Sequence, residues 1–563
     1  MKFLNLGSKW VTGVFLFFVI LYLAGCDITN PTDGIRAILN MKERTTTVSV
    51  ILFDAATDEP VGFEQGPDVN ITITGPDSDS IIDLLNRPTS SFVSSSGFIS
   101  FAILDNLALD ASSPVRFTIE AQAEGYLPVS QSVFITSTGN NPVEIYMVDI
   151  NNLPDGVSVV QNMPVGALDA EGRITDEIAF GIDVSGNVFG GAASSSALQM
   201  NAVGSLQDEE PPEPPVAAIE QGVRFRMQSG TVITDANGVE LSGSLQTTVN
   251  YYSPNYRRFS NFAEGVIEGQ TGEYIFTRAG IVDIVVKDEN GRIAKNFDPA
   301  AETTFTYRDQ FGMSSGSVIS GWGSDQSWPD VWNSEGEKQI TQIEDAFGRD
   351  MNQTVMELPL FHRWQQLAFN IPACREGIRI NLSGTNLRVH GDIRNASTGA
   401  YIGSFQSTVT RNPETDEVTG NFIQLNRVPR DLPSVLSFFN LNETPLQEIT
   451  VQNLCDTSIQ NVSINSPEFS ATFKGKGVCA NNDDIEVRPN FPVQVKSRFG
   501  RWRNAGELKN GQIILTLPEP ELYTFGGYIE GRFRIYDIDL TNANEGDIIE
   551  REIDLPEDVC DDL

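Results

Sequence analysis

Basic residues and histidines are scarce in this sequence. Its 563 residues include 38 lysines and arginines against 75 aspartates and glutamates, which gives a formal net charge of −37, and only 2 histidines. A surface this negative repels the phosphates of nucleic acids, so we expect no nucleic-acid binding. Two histidines leave little room for a histidine-rich metal site, and no glycine-rich phosphate loop opens a helix. We therefore predict neither a metal site nor a cofactor.

Helical periodicity is also missing, because no long stretch has a convincing 3.6-residue apolar repeat. Short runs rich in β-branched and aromatic residues, such as residues 45–53, recur instead between clusters of Asp, Gly and Pro. The chain is 40% hydrophobic and contains 33 phenylalanines, enough to fill several cores. We predict an all-β chain built from tandem β-sandwich domains of the Ig-like or transthyretin-like kind.

The N-terminus carries the most nearly continuous apolar run, at residues 14–23, after a short basic segment. A membrane span takes about 20 residues, so this run has the length of a signal-peptide core instead. The run leads into the sequence LAGC at residues 23–26. This arrangement resembles a bacterial lipoprotein signal peptide, which implies removal of residues 1–25 and acylation of Cys26. The alternative is a signal anchor with an incidental cysteine.

Acylation of Cys26 would place the protein in the outer membrane or at the cell surface, facing the periplasm or the exterior. The lipid bilayer is then its first expected partner, because several acyl chains make a firm anchor. Residues 26–44 are predicted to be a spacer that lifts the folded part off the membrane. An envelope protein or a glycan is the further partner that we expect.

The first predicted domain covers residues 45–150. Its opening strand leads into a turn with Asp54 and Thr57, and a later strand follows Gly125 and Tyr126. These segments resemble the carboxypeptidase regulatory-like module, a transthyretin-like β-sandwich. The resemblance implies a non-catalytic accessory domain. Gly125 permits a tight turn, and Tyr126 can cover the edge of the sandwich.

Residues 151–372 are predicted to form a larger β-rich domain with an acidic, proline-rich loop at residues 208–215. Four of its loops start with aspartate and end with glycine three residues later, at Asp169, Asp183, Asp235 and Asp288. These loops lack the ligand spacing of an EF-hand, so we interpret them as hairpin turns rather than calcium sites.

Four tryptophans, Trp322, Trp328, Trp332 and Trp364, are either core residues or a surface on which sugars stack. Tyr251 and Tyr252, the hairpin at residues 279–291, and Trp364 before Cys374 also resemble a recurrent part of Bacteroidota-type surface lipoproteins. That resemblance implies no known chemistry.

The remaining cysteines predict two C-terminal β-sandwiches, at residues 373–466 and 467–563. Cys374 and Cys455 are 81 positions apart, as are Cys479 and Cys560. Disulfides persist outside the cytoplasm, and four cysteines allow three pairings. We favour Cys374–Cys455 and Cys479–Cys560, with Cys455–Cys479 as the chief rival.

The two C-terminal modules differ in their family resemblance. Residues 389–393 and 397–402 of the first resemble the opening of the regulatory-like module. The second lacks that opening and has the sequence GRWRNAG, residues 500–506, in its place. Its assignment as a sandwich therefore depends on its size and its cysteine spacing.

A catalytic site is not expected. Residues 312–316 match G-x-S-x-G around Ser314, but that motif needs a helix after it and a strand-like or loop-like segment follows. We interpret His362 and His390 as structural, which leaves a serine hydrolase at Ser314 as a remote alternative. We predict a non-catalytic, membrane-anchored lipoprotein with a structural, adhesive or protein-binding role at the cell envelope. The alternative is an accessory glycan-binding lipoprotein that uses exposed tryptophans.

Overall fold

A computed structural model describes residues 37–40, 43–63, 66–107, 109, 113–190, 221–254, 256, 266–267, 274–308, 315–325, 331–345, 348–397, 399, 401–411, 417–479, 482–498, 500–529 and 532–555. The signal peptide, Cys26 and the loop at residues 208–215 lie outside the described residues. Within them the only helical element is the 3-10 turn Ser78–Ser80, and the prediction of an all-β chain is confirmed. No helix in this part of the chain is long and apolar enough to cross a membrane.

The first sandwich follows strand β1, Ala37–Asn40, in the sequence. Its strands are β2 Thr46–Asp54, β3 Val69–Thr74, β4 Ile81–Ile82, β5 Ser91–Ser94, β6 Phe98–Ile103, β7 Val115–Ala123, β8 Tyr126–Leu127, β9 Val129–Ile135 and β10 Gly139–Asp149. They form two sheets, with orders β4-β6-β2-β10-β8 and β5-β3-β7-β9. Every residue of β2 is buried, so this strand shows no apolar–polar alternation.

The second sandwich contains β11 Val157–Ala167, β12 Ile178–Asp183, β13 Val188–Gly190, β14 Gly222–Met227, β15 Val232–Thr234, β16 Ser244–Tyr252, β17 Val266–Ile267, β18 Tyr274–Asp288, β19 Asn296–Tyr307, β20 Val318–Ser324, β21 Val331–Gln339, β22 Thr341–Glu344, β23 Asp350–Leu360 and β24 Trp364–Ser383. One sheet has the order β11-β16-β18-β24-β20-β21-β17 and the other β13-β12-β14-β19-β23-β22. A large apolar cluster, including Phe225, Phe305 and Met356, fills the space between them.

The third sandwich adds β25 His390–Asn395, β26 Tyr401–Gln406, β27 Thr408–Arg411, β28 Val418–Pro429, β29 Ser434–Phe439, β30 Pro445–Val451 and β31 Ile459–Ser463. One of its sheets has the order β26-β25-β29-β30, and the other is formed by β27, β28, β31 and the second half of β24. The first half of β24 pairs with β18 and β20 of the second sandwich. The predicted boundary between residues 372 and 373 therefore falls inside one continuous strand.

The fourth sandwich contains β32 Phe469–Cys479, β33 Asn482–Arg488, β34 Phe491–Ser497, β35 Arg503–Leu508, β36 Gln512–Leu517, β37 Leu522–Ile529, β38 Arg532–Asp539 and β39 Ile548–Leu555. One sheet has the order β35-β34-β37-β38, and the other has the order β1-β33-β32-β36 with β39 also on β32. β1 is parallel to β33, with Ala37 opposite Ile485 and Asn40 opposite Arg488.

The spacer predicted at residues 26–44 is therefore wrong for its last part. Residues 37–40 form a strand of the fourth sandwich, and Arg44 is buried against the first. The guanidinium of Arg44 donates hydrogen bonds to the Leu84 carbonyl at 3.2 Å and to Asn86 Oδ1 at 2.9 Å. This segment folds because its backbone completes a sheet edge and its cation finds buried acceptors.

The four aspartate-to-glycine loops are hairpin turns, as predicted. In each, aspartate Oδ1 accepts backbone N–H bonds from residues two and four positions later, as Asp288 does from Asn290 and Arg292 at 2.9 Å. The closing glycines have positive φ, for example +79° at Gly291. Asp345 caps a fifth turn of this kind. Among the described residues, no group of three or more His, Cys, Asp or Glu side chains could hold a metal ion.

Candidate functional site

Three of the four tryptophans considered for sugar binding are core residues. Trp322 and Trp364 are each 2% exposed and Trp332 is fully buried, while Trp328 lies outside the described residues. They pack in one cluster with Leu127 and Val148, which belong to the first sandwich. Of the two alternatives for these tryptophans, a core and a sugar-stacking surface, their burial supports the core for these three side chains. Their indole rings join the first sandwich to the second instead.

Ser314 lies outside the described residues, but both histidines have carboxylate partners. His362 Nδ1 lies 3.0 Å from Asp325 Oδ2, and its Nε2 lies 2.8 Å from Glu335 Oε1. His390 Nε2 lies 3.1 Å from Glu443 Oε2. Both rings are buried, in agreement with the structural interpretation of the two histidines.

Cys374 and Cys455 form a disulfide with a Cα–Cα distance of 5.7 Å. It joins β24 to the segment after β30, across the third sandwich. Because Cys455 is used here, the rival pairing of Cys455 with Cys479 is excluded. Cys560 lies outside the described residues, so the bridge between Cys479 and Cys560 stays a prediction.

The resemblance between the first domain and the regulatory-like module depended on residues that the fold brings together. Asp54 Oδ1 accepts N–H bonds from Ala56 and Thr57 within the turn, both at 2.9 Å. The Tyr126 hydroxyl donates to Asp54 Oδ2 at 3.0 Å. Gly125, with φ +80°, makes the turn that sets Tyr126 in this position.

The first, third and fourth sandwiches meet at a polar junction that the sequence analysis did not identify. We define it by Glu144 and Tyr146 of the first sandwich, His390 and Glu443 of the third, and Arg501, Trp502 and Arg503 of the fourth. The three residues of the fourth sandwich run into the start of β35 as extended chain, where successive side chains point to opposite sides. Trp502 therefore points one way and its two arginine neighbours the other.

Trp502 inserts into the core of the first sandwich. It is fully buried, and its ring meets Phe98 and Phe63 edge-on at centroid distances of 5.2 and 5.7 Å. Phe533 of the fourth sandwich stacks on Phe98 at 3.8 Å. Burial of such aromatic rings contributes several kcal/mol, on the order of the 3–5 kcal/mol lost on truncation to alanine. The cores of these two sandwiches are therefore continuous.

The two arginines of the junction bridge three sandwiches. Arg503 donates to Glu144 Oε1 at 2.7 Å and to Glu443 Oε1 at 2.9 Å. Arg501 donates to the same Glu443 oxygen at 3.2 Å and to the Tyr146 hydroxyl at 2.9 Å. Guanidinium groups suit this position because their planar donors can satisfy several acceptors at once.

The arginines keep the two partly buried glutamates of the junction ionised. Burial alone would raise the pKa of Glu144, but Arg503 and Arg501 lower it to about 2. Burial opposes ionisation of Glu443 too, yet its bond to His390 and the field of Arg503 hold its pKa well below the usual range. Burial and Arg503 lower the pKa of His390, so its ring is neutral near pH 7 and Nε2–H donates to Glu443.

A cavity of about 580 Å³ opens beside this junction, between the third and fourth sandwiches, with Asn140 of the first in its wall. Its charged lining consists of five cations and two acids, with Arg388, Arg411, Arg488, Arg503 and Lys509 against Glu43 and Glu507. Ile513, Leu515 and Leu517 of β36 supply an apolar side. In a chain with a net charge of −37, this is a local concentration of positive charge.

Sequence reasoning could have found this region from one signal. Two arginines flank a tryptophan in the sequence GRWRNAG, at residues 500–506 of an otherwise acidic chain. Arginine and tryptophan are among the residues enriched at protein interfaces. The partners, however, lie more than 350 positions away in the first sandwich, and no local pattern points to them.

Comparisons with known proteins give structural neighbours only. No family model matches the chain, and no curated protein matches it. The Bacillus anthracis TIE protein is 10% identical, covering 61% of this chain and 74% of its own, with a TM-score of 0.13. BcpA, the major pilin subunit of Bacillus cereus, is 9% identical over 91% of this chain and 99% of its own, with a TM-score of 0.13. The full-length major pilin RrgB from Streptococcus pneumoniae is 9% identical over 90% and 99%, with a TM-score of 0.14. With TM-scores this low, the fold assignment depends on the chain's own sheets.

Proposed function

We propose that the protein is a non-catalytic lipoprotein with a structural, adhesive or protein-binding role, anchored in the outer membrane or at the cell surface through acylated Cys26. The observation that carries this proposal is the packing of the sandwiches into one closed body. The tryptophan cluster joins the first to the second, β24 runs from the second into the third, and the junction joins the third and fourth back to the first. Strand β1, which begins eleven positions after Cys26 in the sequence, belongs to this body.

Tandem modules without contacts between them would form an extended stalk. Here the sandwiches contact one another instead. A structural or adhesive role needs a body that keeps its shape under load, and buried aromatic and ionic contacts between domains supply that rigidity. Binding sites of such proteins lie on the loops and clefts that the rigid scaffold positions.

The anchor is tested by replacing the acylated cysteine. Cells that express the wild type or Cys26→Ser are fed an alkyne fatty acid, and the membrane fraction is examined. We expect label and membrane retention for the wild type and neither for Cys26→Ser, because the acyl chains provide the membrane affinity. Membrane retention of an unlabelled wild type would contradict the lipoprotein proposal.

The envelope role is tested by cross-linking in intact cells. We expect a discrete cross-linked species with the anchored protein that is lost with Cys26→Ser, which carries the same folded body. Its absence from both strains would contradict a protein-binding role.

A further inference from the structure

Among the described residues that line the cavity beside the junction, cations outnumber acids. Lys509 pairs with Glu43 at 2.7 Å, and Arg503 is committed to Glu144 and Glu443. Arg388 and Arg488 have no hydrogen bond and no ion pair with any residue that the structure describes. Two guanidinium groups with unused donors thus face a space that three sandwiches enclose.

Arg388 is the informative member of this set. Burial and the neighbouring Arg411 lower its pKa to about 10, and Glu507 opposes this only in part. A cation that is partly removed from water and set beside a second cation is in an unfavourable field. Arg411, on the same wall, is fixed by a hydrogen bond to Thr516 of the fourth sandwich at 3.2 Å. An anion between the two guanidinium groups would relieve this repulsion.

We propose that this cavity binds a small organic anion, with a carboxylate or sulfate group at the Arg388–Arg411 pair. The planar donors of arginine recognise such groups through two parallel hydrogen bonds. The volume of about 580 Å³ falls in the range of small-molecule sites, and the apolar side formed by Ile513 and Leu515 suits a carbon skeleton. This inference does not depend on the anchoring of the protein, so either can fail without the other.

Glu507 makes the proposed affinity depend on pH. Burial and Glu43 raise its pKa to about 7, while Lys509, Arg388 and the Thr47 hydroxyl act in the opposite direction. Above that pH its carboxylate is ionised and competes with the ligand for Arg388. Below that pH it is protonated and leaves the cations free. The affinity for an anion should therefore increase as the pH falls through 7.

The test is calorimetric titration of the purified protein with four probes: galacturonate, citrate, inorganic sulfate and neutral galactose. We expect galacturonate or citrate to bind, galactose not to bind, and Arg388→Gln to weaken binding by about tenfold or more. Arg226→Gln is the matched control, because Arg226 forms ion pairs with Glu177 and Glu302 on the second sandwich, away from the cavity. Binding should also be tighter at about pH 6 than at about pH 8.

Three results would overturn the proposal. They are no binding of either organic anion to the wild type, equal binding by Arg388→Gln and Arg226→Gln, and sulfate binding that is indifferent to Arg388→Gln, which would indicate an adventitious ion only. Thermal melting shows whether each variant is folded. If Arg388→Gln does not fold, the test passes to Arg488→Gln. Arg488 is exposed, and its replacement removes the second unpaired guanidinium, so this variant must weaken binding.

Discussion

Single side chains carry much of the specificity of this fold, and the two histidines show it most clearly. His362 is held on both ring nitrogens by carboxylates, and a side chain at Gly323 would collide with its ring. Burial lowers the pKa of His362, but Glu335 and Asp325 outweigh this and raise it above its ordinary value. His390 has one carboxylate partner and two arginines nearby, and its pKa is lowered. The pKa values of the two histidines are thus shifted in opposite directions by their surroundings.

The first prediction at this scale concerns His362→Gln. A raised pKa means that the folded state holds the proton more tightly, so the stabilisation is complete below about pH 6.5 and is lost as the pH rises through the folded-state pKa. The difference in unfolding free energy between wild type and variant should therefore shrink as the pH rises from about 5.5 to about 8.5. Urea denaturation across this range measures it.

His390→Gln is the matched control for this experiment. Because the pKa of His390 is lowered, its contribution is complete above about pH 6.5 and falls as the solution becomes more acidic. The two difference curves should have opposite slopes. Parallel curves would show that the assigned carboxylate contacts of His362 do not control its titration.

Among the elements, β24 carries the chain from the second sandwich into the third without a linker. Pro372 and Cys374 look like the end of one domain and the start of the next, but no turn sequence separates them from the strand on either side. The structure uses a bulge instead, between Glu376 and Arg379. A side chain on Gly377 would collide with Val428 and with the Leu454 carbonyl, so the strand can pass this point only with glycine.

The disulfide of the third sandwich gives a prediction at the same scale. It closes a loop with a sequence separation of 81 residues, for which the entropy of the unfolded chain gives about 4.5 kcal/mol. We expect the double variant Cys374→Ala/Cys455→Ala to lose a few kcal/mol of unfolding free energy, measured by guanidinium denaturation under oxidising conditions. Dithiothreitol should lower the stability of the wild type more than that of the double variant, and equal losses would contradict the prediction.

Local order in this chain could be predicted from the sequence, and distant pairing could not. Strand periodicity and the aspartate-to-glycine turns depend on residues within about ten positions of each other, so their signals are local. The junction depends on Arg503 meeting Glu144, and β1 depends on β33, across most of the chain. The tryptophans were ambiguous because sequence density does not distinguish a core between two domains from an exposed surface.

For the whole molecule, the contacts between sandwiches determine how it unfolds. The first and fourth sandwiches share the ring cluster around Trp502, and Lys496 binds both carboxylate oxygens of Glu59 at 2.6 and 2.8 Å. Exposed ion pairs such as this one contribute little, so the buried rings dominate the coupling. These two sandwiches should therefore unfold together.

Trp502→Ala tests this coupling. Loss of the ring should cost about 3–5 kcal/mol and open a cavity at the boundary between the two cores. We expect the wild type to show a single thermal transition for these two sandwiches in calorimetry. The variant should show an additional transition at a lower temperature. Trp502→Phe keeps most of the apolar surface and should restore the joint transition. A single unchanged transition in Trp502→Ala would contradict the coupling.

Strand β1 also sets the order in which the protein can be completed. Its partner β33 is synthesised more than 400 residues later, about 20 to 90 seconds at roughly 5–20 residues per second. During that time β1 lacks the strand with which it pairs in the folded protein. In a chain that ends before β33, β1 has no β33 to pair with, whereas a chain that includes β33 allows the pair to form. The first of the described strands thus finds its place only once the fourth sandwich has been made, which makes the folding of the N-terminal segment depend on the integrity of the C-terminal one.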